Sequence, residues 1–345
     1  MRMTEHLRSV CVAALLALWI GSSAALAVPM AWGVDEQKGE LFSIDDYTQL
    51  ANGSAAAGVT VYGRLKYERD NGQVRNIGDH IEALALEADG TAYMVVNDRV
   101  VAPADLGGSA GGPVLLKFNV NDASTKADNV ATVLGHINAS DYGVDAREHR
   151  VSGLALDPAS GALYALYRKN GETKTDRLLV ISKGDGTVLA DRGEMAGLGQ
   201  AVKNGEDIAF DSNGKLYVTD TDDGHLYGID PDTGAIVAVV DGDTGDGEYE
   251  GLAWDPENGR LVASDDLNDL LSVLTFGDGL NDVCGGAPEL GDVEALDFLP
   301  LVSSGAGRGE LALAIVNPSP AVPEPASAVL VGVPCLIAAL RRRRR

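Results

Sequence analysis

Read for its alternation of apolar and polar positions, the chain repeats one unit. A polar or acidic residue and a small residue lead into three mostly apolar positions. An acidic turn with glycine follows, and a second apolar run closes the unit. The copies are IEALALEADGTAYMVVND from Ile81, VSGLALDPASGALYALYR from Val151, EDIAFDSNGKLYVTD from Glu206 and YEGLAWDPENGRLVASD from Tyr249. A fifth, VEALDFLP from Val293, lacks the turn and is followed by ELALAIV from Glu310. The D-P-x-x-G and D-x-N-G stretches are turn chemistry, because Pro presets φ and Gly or Asn tolerates positive φ. Each copy therefore reads as a β-hairpin, and strands apolar on both faces imply cover on both sides.

A second hairpin follows most copies: LLKFNVNDASTKADNVATVLG from Leu115, LLVISKGDGTVLA from Leu178, LYGIDPDTGAIVAVV from Leu226 and LLSVLTFGDG from Leu270. Four strands per repeat make the blade of a β-propeller. The motif positions Leu84, Leu154, Ile208, Leu252 and Leu296 are spaced by 70, 54, 44 and 44 residues, so the first blades carry insertions. One insertion is the flexible-loop sequence GGSAGGP at Gly107 to Pro113. The fifth inner hairpin has no outer hairpin after it. The N-terminal region has the opposite surplus, with ELFSID from Glu40 and TVYGRLKYERDNGQVRNIG from Thr60. Joining the two predicts an all-β propeller of five or six four-stranded blades, closed by strands from both termini. An open solenoid is the alternative, and the complementary ends argue against it.

Glycine is abundant, at 42 of 345 residues, which agrees with a fold of many tight turns. The formal net charge is −24, and the basic residues Arg2, Arg8 and Arg341 to Arg345 belong to the chain ends, so the body between is near −30. A surface this acidic repels phosphate backbones and argues against nucleic-acid partners. Of the three cysteines only Cys284 lies in the body, so no disulfide forms within it.

The ends carry targeting chemistry. Arg2 and Arg8 precede the apolar stretch Val10 to Ile20, and Ala25-Leu26-Ala27 fits a small-x-small cleavage site, so residues 1–27 read as a signal peptide. The body spans 28–316, and 317–321 is a Pro-containing linker. Residues 322–345 hold three parts in order: Val322-Pro323-Glu324-Pro325, an apolar helical stretch at 326–340, and the arginine tail 341–345. Fifteen helical residues rise about 22 Å, short of a hydrocarbon core of about 30 Å. That length suits a transient span halted by positive charge. The arrangement resembles the PEP-CTERM sorting signal of bacterial surface and matrix proteins. The resemblance implies processing by an exosortase, with Pro323, Glu324, Pro325 and Arg341 as recognition positions. Signal peptidase and exosortase would then be partners, and the protein would reach the cell surface, outer envelope or extracellular matrix, its inner-membrane anchor transient or retained.

Aligned copies place Glu82, Ser152, Glu206, Glu250 and Glu294 at one position, at the start of the innermost strand. In a propeller equivalent positions encircle the axis, so four carboxylates are expected to converge at one mouth. Such a cluster repels itself unless protons or a cation neutralise it, and an all-oxygen site suits Ca²⁺. Asp207 is adjacent and is a further ligand candidate. The competing reading is a solvated acidic rim. The strings EGLAWDPENGRL and EDIAFDSNGKLYVTD resemble NHL-, lactonase- and phytase-esterase-like propellers, and the lactonase resemblance implies Glu250 as a metal ligand. The acidic stretches Asp220 to Asp223 and Asp241 to Glu250 fit calcium-loop spacing poorly and read as polar turns, with loose surface Ca²⁺ binding as the alternative. His80, His136, His149 and His225 show no metal-site spacing, though His80 and His149 both precede inner strands. Trp254 and Tyr164 read as packing residues. No hydrolase elbow, P-loop or dinucleotide motif occurs. The expected function is an exported binding or scaffold module for an extracellular polymer or protein. The alternative is a divalent-metal lactonase- or phosphoesterase-like hydrolase.

Overall fold

The computed structural model describes residues 30–35, 39–45, 58–68, 72–77, 81–97, 112–137, 149–169, 174–221, 224–240, 249–257, 259–265, 270–274, 294–296 and 311–316. Strand dominates them and they contain no α-helix. The expected signal peptide, linker, sorting motif and C-terminal apolar helix lie outside these residues, as do His80 and Cys284. No helix among the described residues is long and apolar enough to cross a membrane.

The strands group into antiparallel sheets. The first, in chain order, holds β1 (Met30–Asp35), β2 (Glu40–Asp45) and β3 (Gly58–Glu68), with the short β4 (Val74–Asn76) against β3. Then come β5 (Ile81–Leu86), β6 (Thr91–Val96), β7 (Val114–Asn119) and β8 (Asn129–His136), paired in sequence. The next sheet is β9 (His149–Leu156), β10 (Leu163–Lys169), β11 (Arg177–Ile181) and β12 (Val188–Glu194). A two-stranded ribbon, β13 (Ala196–Gly197) and β14 (Gln200–Ala201), leads to β15 (Gly205–Phe210), β16 (Leu216–Asp220), β17 (His225–Ile229) and β18 (Ile236–Val240). The last run is β19 (Tyr249–Asp255), β20 (Arg260–Asp265), β21 (Leu270–Leu274) and β22 (Glu294–Leu296). The final strand, β23 (Leu311–Val316), pairs antiparallel with β1 from Met30↔Val316 to Asp35↔Leu311.

The first strands lie side by side in the order β23, β5, β9, β15, β19, and β19 lies against β23 again. This arrangement is propeller-like, with the sheets packed face on face around an axis. It also explains the doubly apolar strands. On β5, Leu84 packs with Trp32, Val34 and Leu41 of the preceding sheet, while Ala83 and Ala85 pack with Val151, Leu154 and Leu163 of the following one. The same alternation recurs on β15, where Ile208 and Phe210 meet Tyr164 and Leu166, and Ala209 meets Leu252 and Leu261. Burying a leucine fully is worth about 2 kcal/mol, so every inner strand ties two sheets together.

Three features depart from the sequence expectation. The fifth inner strand is not VEALDF: Glu294 and Leu296 fall on β22, which pairs with β21 as the fourth strand of its sheet. The inner position is taken by β23, from the string ELALAIV. The second strand of the closing sheet is β1, from MAWGVD, a segment whose pattern predicted no strand. The third departure is a parallel pairing of β3 with β8 through Leu65↔Asn129, Lys66↔Val130 and Tyr67↔Ala131, which joins the first two sheets at their outer edges. At Gly63 φ is +88°, and just beyond it β3 leaves β2 for β8 and β4. The Asn129 amide secures the junction by donating to the Tyr62 carbonyl at 2.8 Å.

Candidate functional site

Each inner strand from β5 to β19 is irregular at the position the repeat alignment singled out. The register slips between Ile81 and Ala83, around Ser152, between Gly205 and Ile208, and between Tyr249 and Gly251. A bulge re-aims the side chain it displaces. The displaced residues are Glu82, Ser152, the Glu206-Asp207 pair and Glu250. The periodic sequence motif is thus a periodic bulge at one end of the inner strands.

What meets there is not a ring of carboxylates alone. Arg150, on β9, sits between two glutamates, with Nε 3.5 Å from Glu82 Oε2 and Nη2 3.2 Å from Glu206 Oε2. Arg168, on β10, donates to Glu206 Oε1 at 2.6 Å, and the Thr221 hydroxyl donates to the same oxygen at 3.2 Å. Glu82, Arg150, Glu206 and Arg168 thus form one alternating chain of charge across three sheets. Burial pushes the Glu206 carboxyl above its usual range, and Arg168 and then Arg150 pull it back. The expected cluster also contained Glu250, half-buried on β19, and Glu294, which β22 carries away from the inner strands. Among the described residues no group of three or more His, Cys, Asp or Glu side chains is placed to hold a metal ion.

Ser152, which stands where its neighbours have glutamate, donates its hydroxyl to the Gly205 carbonyl of the next inner strand at 2.7 Å. Asn97 makes the equivalent bridge one sheet earlier, donating to Val151 O at 3.1 Å and accepting from Val151 N at 3.0 Å. Asp207 turns toward the axis. Its carboxylate accepts from Ile208 N at 2.8 Å and from Leu252 N of β19 at 2.7 Å, and the Leu154 N–H of β9 is a third donor. Burial raises its carboxyl well above the usual range, against those three amides. Asp207 is therefore a tie between inner strands.

The remaining sequence candidates disperse. His149 lies on β9, but His136 and His225 lie on β8 and β17, away from the inner strands; the His136 Nδ1 is 3.4 Å from Gly112 O and the His225 ring stacks on Tyr227. Asp220 is buried and accepts from Lys203 N at 2.9 Å, a turn role. Tyr164 packs edge-on to Phe210, as a packing residue should. Trp254 does more than pack, since its indole N–H donates to Ser212 Oγ at 2.8 Å beside a cavity at the opposite end of the inner strands.

Removing one guanidinium tests the charge chain. Arg168→Leu leaves a largely buried carboxylate with the Arg150 guanidinium and the Thr221 hydroxyl, both at 3.2 Å, and a loss of about 2 kcal/mol is expected at pH 7. The variant's Glu206 moves further up, so its folded state gains more from protonation. The deficit should shrink as pH falls from the raised folded value toward the unfolded one near 4.3. Urea denaturation between pH 4 and 8 reads both effects.

No protein-family model matches the chain, and no curated protein matches it. Among solved structures, a chain from "Crystal structure of Nidogen/Laminin Complex" aligns with a TM-score of 0.45 and 15% identity, covering 84% of this chain and 99% of its own.

Proposed function

We propose that the protein is an exported propeller of five blades, sorted to the cell surface or matrix through its C-terminal signal, and that it acts as a binding module. The blades are β23-β1-β2-β3, β5 to β8, β9 to β12, β15 to β18 and β19 to β22, which the pairing order supports. Export and sorting rest on the chain ends. Met30 and Val316, the first and last described residues, are direct strand partners. Signal peptidase and an exosortase are the processing partners this reading requires.

The observation that carries the binding reading is the Glu82–Arg150–Glu206–Arg168 chain. A hydrolase built on a carboxylate-held cation needs free carboxylate oxygens, whereas guanidinium groups already pair with two of the four candidates, Glu82 and Glu206. Arg150 stays about one-third exposed, with its side chain 32% accessible. A partly exposed arginine between carboxylates offers both donors and acceptors to a polar polymer or protein loop.

The hydrolase reading keeps a defined test. Ca²⁺ is titrated calorimetrically into the protein and into Glu250→Ala, and a lactone and phosphoester panel is run with and without chelator. The binding reading expects no chelator-sensitive turnover. It also expects retention on extracellular matrix material from the producing cells, weakened about tenfold by Arg150→Ala. Tight Ca²⁺ binding lost in Glu250→Ala, together with chelator-sensitive turnover, would favour the hydrolase instead.

A further inference from the structure

The end of the inner strands opposite the charge chain carries different chemistry. Leu86, Leu156, Phe210, Trp254 and Ile315, one from each inner strand, line a cavity of about 190 Å³, and the alanine preceding each of the first four, with Ala314, leaves room beneath them. This apolar collar stands in a body of strongly negative charge.

An acidic residue ends or directly follows four of the five inner strands, and in three of them another side chain pairs with its carboxylate. Glu87 pairs with Lys183, Asp157 accepts from the Ser160 hydroxyl, and Asp255 Oδ2 accepts from Arg260 Nε at 2.9 Å. Asp211 is the exception. Its Oδ1 accepts from Asn213 N and Lys215 N, both at 2.8 Å. Its Oδ2 is buried and has no hydrogen-bond partner among the described residues. Asp211 is fully buried and lines the collar cavity. A buried acceptor left without a donor costs about 1–3 kcal/mol, a cost a ligand with a donor there would remove.

We propose that the collar cavity binds a small apolar amine. The ammonium donates to Asp211 Oδ2, and the apolar body fills the space between the collar side chains. Charge decides between amine and neutral ligands, because a carboxylate oxygen that lacks a donor bonds more strongly to a cationic N–H than to a neutral one. Phe210 and Trp254 add aromatic surface that a cation prefers to an aliphatic wall. The cavity size limits the ligand to roughly one ring or a branched chain. The site is independent of the Arg150 mouth, so either proposal can fail alone.

Benzylamine is the probe and benzyl alcohol its neutral counterpart, both titrated against the full-length chain and followed by ligand-observed NMR and Trp fluorescence. Saturable benzylamine binding is expected, about tenfold or more tighter than benzyl alcohol. Asp211→Asn keeps an acceptor for the turn amides, and should bring the amine down to the alcohol's affinity. Leu156→Trp fills the cavity from its rim without touching Asp211, and should abolish binding of both. No saturable binding to the folded parent up to roughly 20 mM, a generous limit for a fragment of this size, would overturn the proposal. So would equal amine affinity in folded Asp211→Asn. If that variant does not fold, unchanged amine binding in Leu156→Trp overturns it.

Discussion

A chain ending before Leu311 should lose its cooperative thermal transition. It would lack β23, whose ladder with β1 runs over six residue pairs and whose Leu313 and Ala314 are buried. Backbone hydrogen bonds contribute about 1 kcal/mol each in net terms, and a buried leucine about 2 more. The sum is about 5 kcal/mol or more, comparable with the whole stability of a typical domain. The loss also bares one edge of β1 and the flanks of β5 and β19, which are β23's neighbours. Exposed strand edges recruit other chains, so the truncated protein should aggregate where a chain ending at Asn317 does not. Scanning calorimetry and size-exclusion chromatography read the two outcomes. A synthetic peptide of residues 309–317 added in trans should restore part of the transition, since the groove between β1, β5 and β19 would still exist. A truncated chain melting within a few degrees of the parent would show that the ring does not depend on its C-terminal strand.

The same strand shows where the sequence pattern ran out. β5, β9, β15 and β19 were legible because each carries a polar residue near its start, buries both faces and leads into an acidic turn. β23 buries both faces too, but no acidic hairpin-turn string follows Ile315, because the sequence there runs into the Pro-containing NPSPAV. VEALDF at Val293 reproduces the motif string of Glu82-Ala83-Leu84 more closely than LALAIV does, and so it drew the inner-strand assignment together with Glu294. Similarity of string was a weaker guide than the need for a strand that both ends of the ring can share. β1 was invisible for a related reason: six residues with one charge and no turn signal fit a strand no better than a leader's end.

At the site, the carboxylates were legible and their partners were not. Glu82, Glu206 and Glu250 recur in register, so periodicity finds them. Arg150 and Arg168 occur once each, in the copy that has Ser152 in place of glutamate, and a period cannot reveal a residue that does not repeat. The missing glutamate was the available signal. A repeat that drops a carboxylate and adds two arginines nearby is balancing the charge of its neighbours. The bulges were hidden as well, because an inserted residue on a doubly apolar strand leaves the hydrophobic pattern almost unchanged.

Asp207→Ala should cost on the order of 3–5 kcal/mol, the largest effect expected of any single side-chain substitution here. The carboxylate is 1% exposed and gathers N–H groups from its own strand and from both neighbouring inner strands, Leu154 on one side and Leu252 on the other. Alanine would orphan those buried donors at about 1–3 kcal/mol each, partly offset if water enters. Gly153 shows how closely the structure is built around this group: a Cβ there would lie 2.8 Å from Asp207 Oδ1 and 2.8 Å from Ile208 N, so Gly153→Ala should be destabilising through the same tie. Asp207→Asn separates shape from charge. It keeps one acceptor but turns an NH₂ toward a donor, so a smaller loss is expected. It also removes a proton-linked term whose sign follows from the raised folded value. The folded parent holds its proton to higher pH than the unfolded chain, whose value is near 3.9. Parent stability from this group is therefore full below that pH and declines as pH rises toward the folded value. The asparagine variant has no such decline, so the gap between parent and variant should be widest near pH 4 and narrow on going to pH 8. Urea denaturation across that range measures it, and parallel profiles would mean that Asp207 is already ionised in the fold and held by its amides alone.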